Sequence, residues 1–335
     1  MLRLLLKCVL LVFINCQVIA QPVQKKIQFA GFTQGTTYNI SYYASSIFIT
    51  QQQVDSILSA LDRSLSIYNR RSLISTFNCA NNSVKLDKHL RNVLKKSLYI
   101  NKETNGIFDV TIGIVTNAWG FGKEKISVLP DSNSVTQLLK FTGSEKILIT
   151  QKVVEKKIPC LQLDVNGIAQ GYSVDVIADF FEKRGVKNYL IEIGGEIRVN
   201  GKKNDGTDFR IAIEVPDTIE FGINNNSVFL HPKRGAVTTS GNYRKYYESN
   251  GKKIPHIVDA RTGWPASNEL ISVTVFAKDA ITADGYDNAI MVMGLGAGIE
   301  FVENHKELAA FFIYKKKDGS IGYFATKQFL KLLTH

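Results

Sequence analysis

The chain has 335 residues, 44% of them hydrophobic and 21% charged, with 41 Lys and Arg against 30 Asp and Glu for a formal net charge of +11. This is the composition of an ordinary soluble globular protein, long enough to bury a sizeable core. The basic residues are scattered, in short clusters such as Lys95-Lys96 and Lys315-Lys316-Lys317. No long basic run interleaves with aromatics, which argues against nucleic acid as a partner and leaves a general attraction for anionic ligands or lipid surfaces.

The first twenty residues read as a secretory leader. Arg3 and Lys7 precede an apolar run from Cys8 to Ile14, and Val18-Ile19-Ala20 supplies a small-residue cleavage site. The domain reading is therefore a signal peptide over 1–20 and one domain over 21–335. Cys16 raises lipid anchoring as the second alternative to soluble export. Past the leader only Cys79 and Cys160 remain, as two inert thiols or one bridge.

Two strands are expected at Lys26–Thr33 and Thr36–Tyr43 around Gln34-Gly35. Thr50-Gln51-Gln52-Gln53 is a capping box that opens a helix with Val54, Ile57, Leu58, Leu61 and Leu65 on one face. Ser66 to Asn78 reads as a hydroxyl-rich polar loop. A second helix runs from Asp87 to Glu103 and ends at Asn105-Gly106. Trp119-Gly120-Phe121-Gly122 places aromatics between glycines, as hinge packing or as a shelf for a planar ligand. A polar loop at 123–134, a short helix around Val135–Phe141 and β-like segments at Lys146–Thr150 and Val153–Ile158 lead to the centre of the chain.

That centre, Leu161 to Gly201, reads as an alternating segment ending at Asp164, a turn from Asn166 to Gly171, and a helix with Val174, Ile177, Ala178 and Phe181 on one face. Gly185 closes the helix, and a strand from Tyr189 to Ile193 runs into Gly194-Gly195. A strand, a glycine turn and a helix N-terminus in succession can bind an anion, because free N–H groups and the helix dipole point at the turn. Strands follow at Phe209–Glu214, Ser227–Leu230, Ile271–Phe276, Leu308–Tyr314 and Ile321–Ala325, with a helix at Ala280–Met293. Thr238-Thr239-Ser240-Gly241-Asn242-Tyr243 reads as a hydroxyl-rich turn suited to a phosphate or a sugar hydroxyl. The elements together give a mixed α/β class.

Two groups carry chemistry. Asp284, Asp287 and Asn288 fall at i, i+3, i+4 of one helix, so three oxygen-bearing side chains share a face. A hard cation such as magnesium takes such oxygens together with substrate phosphate. In His256-Ile257-Val258-Asp259-Ala260-Arg261-Thr262-Gly263, the histidine, aspartate and arginine can supply a base, its orienting carboxylate and a phosphate-binding cation.

These segments, in order, resemble the ApbE family of flavin transferases. Gly35-Thr36-Thr37-Tyr38 resembles its first strand motif, and Ser66-Ile67-Tyr68-Asn69 with Ser72, Ile74-Ser75 and Phe77-Asn78 its tyrosine loop. Gly106 to Gly113 and Trp119 to Gly122 resemble FDxTxG and WGFG, and Asp164 to Asp175 resembles DxxGIAKGYxVD. Ile193 to Ile197 resembles IGGDI, Thr239 to Tyr243 resembles TSGDY, and His256 to Gly263 resembles HIIDPRTG. Thr282-Ala283-Asp284 begins the family's metal helix.

The resemblance implies a T-fold-like α/β structure of two lobes with flavin between them. It implies FAD contacts at Gln34, Tyr68, Ile107, Phe108, Asp109, Asp164, Gln170 and Val258. Mg²⁺ is implied at the Gly167 carbonyl, Asp284 and Asn288, with Asp287 adjacent, and His256 is implied as general base, with Asp259 to orient it. The implied activity is transfer of FMN from FAD to a threonine or serine of an exported or membrane-bound redox protein, in the periplasm. The alternatives are an FAD pyrophosphatase with water as nucleophile, an FAD-binding protein without catalysis, and an exported α/β binding protein unrelated to flavin. The chain departs from the family pattern at five of these positions. Gln34 stands for a usual methionine, Asn166 and Gln170 for glycine and lysine, Ala260 for a turn proline, and Asn288 for threonine.

Overall fold

The computed structural model describes residues 24–46, 48–123, 126–214, 227–242, 246–249 and 252–333. The leader read at Met1–Ala20, with Cys16, lies outside them, as does Tyr243. The fold opens with a hairpin, β1 (Lys25–Thr33) and β2 (Thr36–Ala44). α1 (Gln51–Leu65) starts at the capping box, where Thr50 Oγ1 accepts from Gln53 N and Gln53 Oε1 accepts from Thr50 N. α2 (Leu73–Cys79), β3 (Ser83–Lys85) and α3 (Lys88–Glu103) follow, and the left-handed residues Asn105 and Gly106 end α3. α4 (Gly113–Ala118), α5 (Ser132–Leu139), β4 (Ile147–Ile149) and β5 (Val153–Lys156) lead to α6 (Ala169–Lys183).

β6 (Asn188–Ile193) and β7 (Glu196–Asn200) are joined by Gly194-Gly195, both at positive φ, the two-residue turn whose twist suits a hairpin. The rest is β8 (Ile211–Glu214), β9 (Ser227–Leu230), β10 (Arg234–Gly241), β11 (Tyr246–Ser249), β12 (Lys252–Pro255), β13 (Val258–Asp259), β14 (Trp264–Pro265) and β15 (Leu270–Ala277). It ends with α7 (Ala280–Met293), α8 (Leu295–Asn304), β16 (Ala309–Lys315), β17 (Ile321–Ala325) and α9 (Lys327–Leu330). Among the described residues, no helix is long and apolar enough to cross a membrane.

Eight strands form the central sheet in the order β1-β2-β6-β7-β10-β15-β16-β17, every neighbour pair antiparallel. Side chains alternate across it. Ala236, Ala310 and Phe312 join the main core, where α1, α3, α6 and α7 contribute Leu61, Val93, Ile177 and Ile290. Val237, Phe311 and Ile313 face the other way, onto a second core closed by the β8–β9 hairpin and by Phe329 of α9. A third, small core lies apart: Ile112, Val115, Trp119 and Val135, with Ile254, Val258 and Ala260 packed on it. This makes a small lobe beside the sheet-based body, and the two-lobed reading is met.

Three local expectations are corrected. The Ser72–Asn78 part of the polar loop is helix α2, capped by Ser72, whose hydroxyl accepts from Ser75 N; apolar Ile74 and Phe77 bury one side of it. Leu161–Asp164 is not a strand and makes only an isolated bridge from Gln162 to Ile112. An amide side chain replaces the ladder there: Leu163 N donates to Asn78 Oδ1 (2.7 Å), and Asn78 Nδ2 donates to Leu163 O (2.8 Å). Thr238–Gly241 is not a turn but the end of central strand β10, where Thr239 pairs hydroxyl to hydroxyl with Thr274 of β15 (2.9 Å). Cys79 and Cys160 are free and exposed.

α6 and α7 touch backbone to backbone. A Cβ on Gly171 would stand 2.4 Å from the Ala280 carbonyl oxygen. Asp175, one turn on, accepts from Ala280 N (2.9 Å) and Ile281 N (2.8 Å), the free donors at the start of α7, and from Arg198 of β7 (2.6 Å). Burial lifts the Asp175 carboxyl to about 6 against the downward pull of these donors. Gly171→Ala is therefore expected to lower stability by about 2 kcal/mol or more in urea melts, although alanine is the better helix former by about 1 kcal/mol. Gly285→Ala, whose methyl would meet the flexible Ile100 side-chain end, should cost less. Equal effects would mean that α6 and α7 are free to move apart.

Candidate active site

The two lobes enclose a cleft of about 1220 Å³, larger than the roughly 300–1,000 Å³ of most small-ligand sites. Its wall is assembled from distant parts of the chain. The hairpin tip brings Gln34; the end of α1 and the segment after it bring Asp62 and Tyr68. The turn after α3 brings Ile107, Phe108 and Asp109. The segment entering α6 brings Asp164, Gly167 and Gln170, and α7 brings Asp284 and Asn288. The β12–β14 region brings His256 and Val258. Of the candidate residues, Asp259 and Asp287 do not line the cleft.

Asp164 is held from two sides: Oδ1 accepts from Asn166 N (2.9 Å) and Oδ2 from the Thr116 hydroxyl (2.9 Å). Burial raises its carboxyl above the usual range, and these hydrogen bonds oppose the rise. Asn166 also donates to the Tyr68 hydroxyl (3.3 Å), and the Tyr68 side chain is 59% exposed at the mouth. Asp109 accepts from Thr111 and Ser144 through both carboxylate oxygens, which ties the turn after α3 to the loop before β4. What Asp109 offers a ligand is thus chiefly its backbone.

Asp284 on the cleft wall and Asp287 next to it form a buried acidic pair. Asp284 and Asp287 are 4% and 1% exposed. Asp284 Oδ2 accepts from Gly171 N (2.8 Å), a free donor in the first turn of α6. The anion site expected at this helix start is filled by a carboxylate of the protein itself. Asp287 Oδ1 accepts from the Ser240 hydroxyl (2.9 Å). Burial, and then the nearby Asp175 charge, raise Asp284 to about 7. Burial, then Asp284 and Glu196, push Asp287 well above the carboxylate range. Buried like charges of this kind call for a cation.

The donor set fits a hard one. Among the described residues no three His, Cys, Asp or Glu side chains converge, so the ligands would be mixed oxygens, as magnesium takes, with waters or phosphate completing the shell. The Asn288 NH₂ marks the spot: it donates to Gly167 O (3.4 Å), Asp284 O (3.0 Å) and Asp287 Oδ1 (3.0 Å). Three acceptor oxygens around one point favour positive charge there.

In the small lobe, His256 lies edge-on to Phe121, ring centres 6.4 Å apart. Asp259 faces the turn: Oδ1 accepts from Arg261 N (2.9 Å) and Nε (3.0 Å), and Oδ2 from Arg261 Nη2 (2.8 Å). Trp119 is packing, not a shelf. It is buried, donates Nε1–H to Gly263 O (2.7 Å) and meets Trp264 edge-on; Phe121 is the aromatic that reaches the cleft. Several supporting residues carry no motif signal in isolation, among them Thr116 behind Asp164 and Ser173 behind Gln34. Ser240 could be found, because its hydroxyl-rich segment stood out.

Residues 34–312 match the family model described as the ApbE family. A curated relative named FAD:protein FMN transferase, from Vibrio cholerae, is 35% identical over 317 residues, covering 92% of each chain. One of the same name from Haemophilus influenzae is 33% identical, covering 90% of each. Among solved structures, the flavin transferase ApbE of Vibrio cholerae superposes with a TM-score of 0.82 at 34% identity, over 92% of this chain and all of that one. The ApbE protein of Thermotoga maritima gives 0.77 at 26% identity, over 93% of this chain and all of that one.

The buried pair of carboxylates generates a test without substrate. Asp287→Asn, which keeps its acceptor oxygen for Ser240, should raise the melting temperature in EDTA by about 2 °C, the shift that roughly 1 kcal/mol produces in a large domain. It should also abolish the rise that Mg²⁺ gives the wild type. A wild-type melting temperature indifferent to Mg²⁺ would eliminate this donor set.

Proposed function

The chain belongs to the ApbE family and is a flavin transferase, and from that premise we propose that it moves FMN from FAD to a threonine or serine hydroxyl of a partner protein, with Mg²⁺ and with release of AMP. The observation that supports the proposal best is the convergence of separated motif residues on one cleft beside a buried acidic pair. FAD is a long ligand with a dianionic diphosphate. A cleft lined by Phe108 and Val258 together with Asp284 and Asn288 offers apolar surface for rings and a cation position for phosphates.

In this reading the acceptor hydroxyl oxygen forms a bond to the FMN-side phosphorus. The bond from that phosphorus to the bridging oxygen breaks, and the bridging oxygen leaves with AMP. His256 takes the hydroxyl proton. A magnesium ion held by the Gly167 carbonyl, Asp284, Asp287 and Asn288 would supply neutralisation of the diphosphate. Asp164, fixed by Thr116 and Asn166, and Tyr68 at the mouth would bind and orient the nucleotide. Most of the rate comes from positioning and electrostatics, as is usual for phosphoryl transfer. Asp259 acts on the base through the turn that it braces with Arg261. The leader pattern at Met1–Ala20 supports export, with an exported or membrane-bound redox subunit as acceptor.

The test follows AMP, free FMN and protein-bound flavin after incubation with FAD, Mg²⁺ and a flavin-acceptor domain. Flavin should appear on the acceptor. EDTA should stop it, and His256→Ala should slow it by roughly 10²–10⁴-fold. Free FMN with AMP, independent of acceptor, would replace the transferase with a pyrophosphatase. Intact bound FAD and no products would leave a binding protein.

A further inference from the structure

The flavin reading leaves the buried side-chain carbonyl of Gln34 unexplained, and the geometry points to its use: it accepts a hydrogen bond from a donor group of FAD and makes Gln34 a specificity-determining residue. This rests on the cleft being the FAD site. Gln34 sits at the tip of the β1–β2 hairpin with φ +50°, a left-handed conformation that a long side chain rarely adopts. Its amide is locked. Nε2 donates to Ser173 Oγ (2.7 Å), and that hydroxyl donates its only hydrogen to Ala169 O (2.7 Å). Ser173 can therefore only accept from Gln34, which fixes which end of the amide is nitrogen.

The oxygen end is the one left without a donor. Gln34 Oε1 is buried and has no hydrogen-bond partner among the described residues, although Gln34 lines the cleft. A buried carbonyl without a donor is costly, and such atoms in folded proteins call for an explanation. A ligand donor removes the cost. FAD offers donors in both halves: the imide N–H and ribityl hydroxyls of the flavin, and the amino group and ribose hydroxyls of the adenosine. The methionine usual at this position in the family has no strong acceptor. The hydrogen bond is therefore a property of this chain's own residue.

The test uses the mature protein and reads binding. Dissociation constants for FAD and FMN come from flavin fluorescence, and that for ADP from competition, for wild type, Gln34→Met and Ser173→Ala. Gln34→Met should weaken FAD by roughly 2- to 10-fold, the value of one neutral hydrogen bond. It should weaken FMN or ADP by the same factor and leave the other unchanged, and the half affected names the donor's source. Without ligand, Gln34→Met should melt at or above the wild-type temperature, because it deletes the unpaired carbonyl. Ser173→Ala, which unlocks the amide without touching ligand, should also weaken FAD.

Unchanged FAD affinity in Gln34→Met overturns the inference. So does equal weakening of both halves with a lowered melting temperature, which would mean that the hairpin tip had collapsed. A wild type that binds no FAD would instead bring down the flavin reading itself.

Discussion

The close approach of α6 and α7 is the constraint on which the site depends. Gly171 leaves no room for a methyl group against Ala280, and its N–H reaches Asp284 across the gap. Asp175 then joins the start of α7 to Arg198 in the sheet. One helix presents Gly167 and Gln170 just before and at its start; the other presents Asp284, Asp287 and Asn288. Their spacing fixes where a cation and a diphosphate can lie. A helix pair separated by ordinary side chains would hold the same residues too far apart to share an ion.

This closeness sets up a conflict of charge. Asp175, Asp284 and Asp287 are buried within one region, and only Asp175 has a basic partner, Arg198, among the described residues. The chain as a whole is basic, yet among the described residues no lysine or arginine lines the cleft. The fold keeps the acidic pair through backbone and hydroxyl donors, from Gly171 and Ser240, and a bound cation would complete it. In the proposed reading, the stability of the metal-free protein and an affinity for metal would be opposed through the same two carboxylates.

Much of this was legible in the sequence because its signals are local. The Thr50 capping box, the apolar face of α6, the Asn105-Gly106 stop and the full span of α7 follow from periodicity and caps. The cleft was legible only through family motifs, since nothing in spacing says that Gln34, Tyr68, Asp164 and His256 meet. The failures share a cause. Leu161–Asp164 alternates like a strand but is held by the Asn78 amide, which lies far away in sequence. Thr238–Gly241 looks like a polar turn because the hydroxyls of Thr239 and Ser240 find their partners across the sheet and at Asp287. Polar residues that find partners in distant elements read as loop when seen alone.

The departures from the family pattern also form a set. All of them but Ala260, that is Gln34, Asn166, Gln170 and Asn288, are amides, each able to donate and accept. Gln170 stands where lysine is usual, and its Nε2 lies 2.8 Å from where a Gly194 side chain would begin, with Glu196 Oε2 beside it. It fills the space under the β6–β7 turn without bringing a charge. In the proposed reaction, with that cation gone, the metal alone would neutralise the diphosphate, and directional hydrogen bonds from amides would take over recognition of the nucleotide. Positive charge is non-directional and falls away with salt; an amide oxygen fixed by Ser173 is neither. On that proposal the chain would exchange electrostatic attraction for geometric selection.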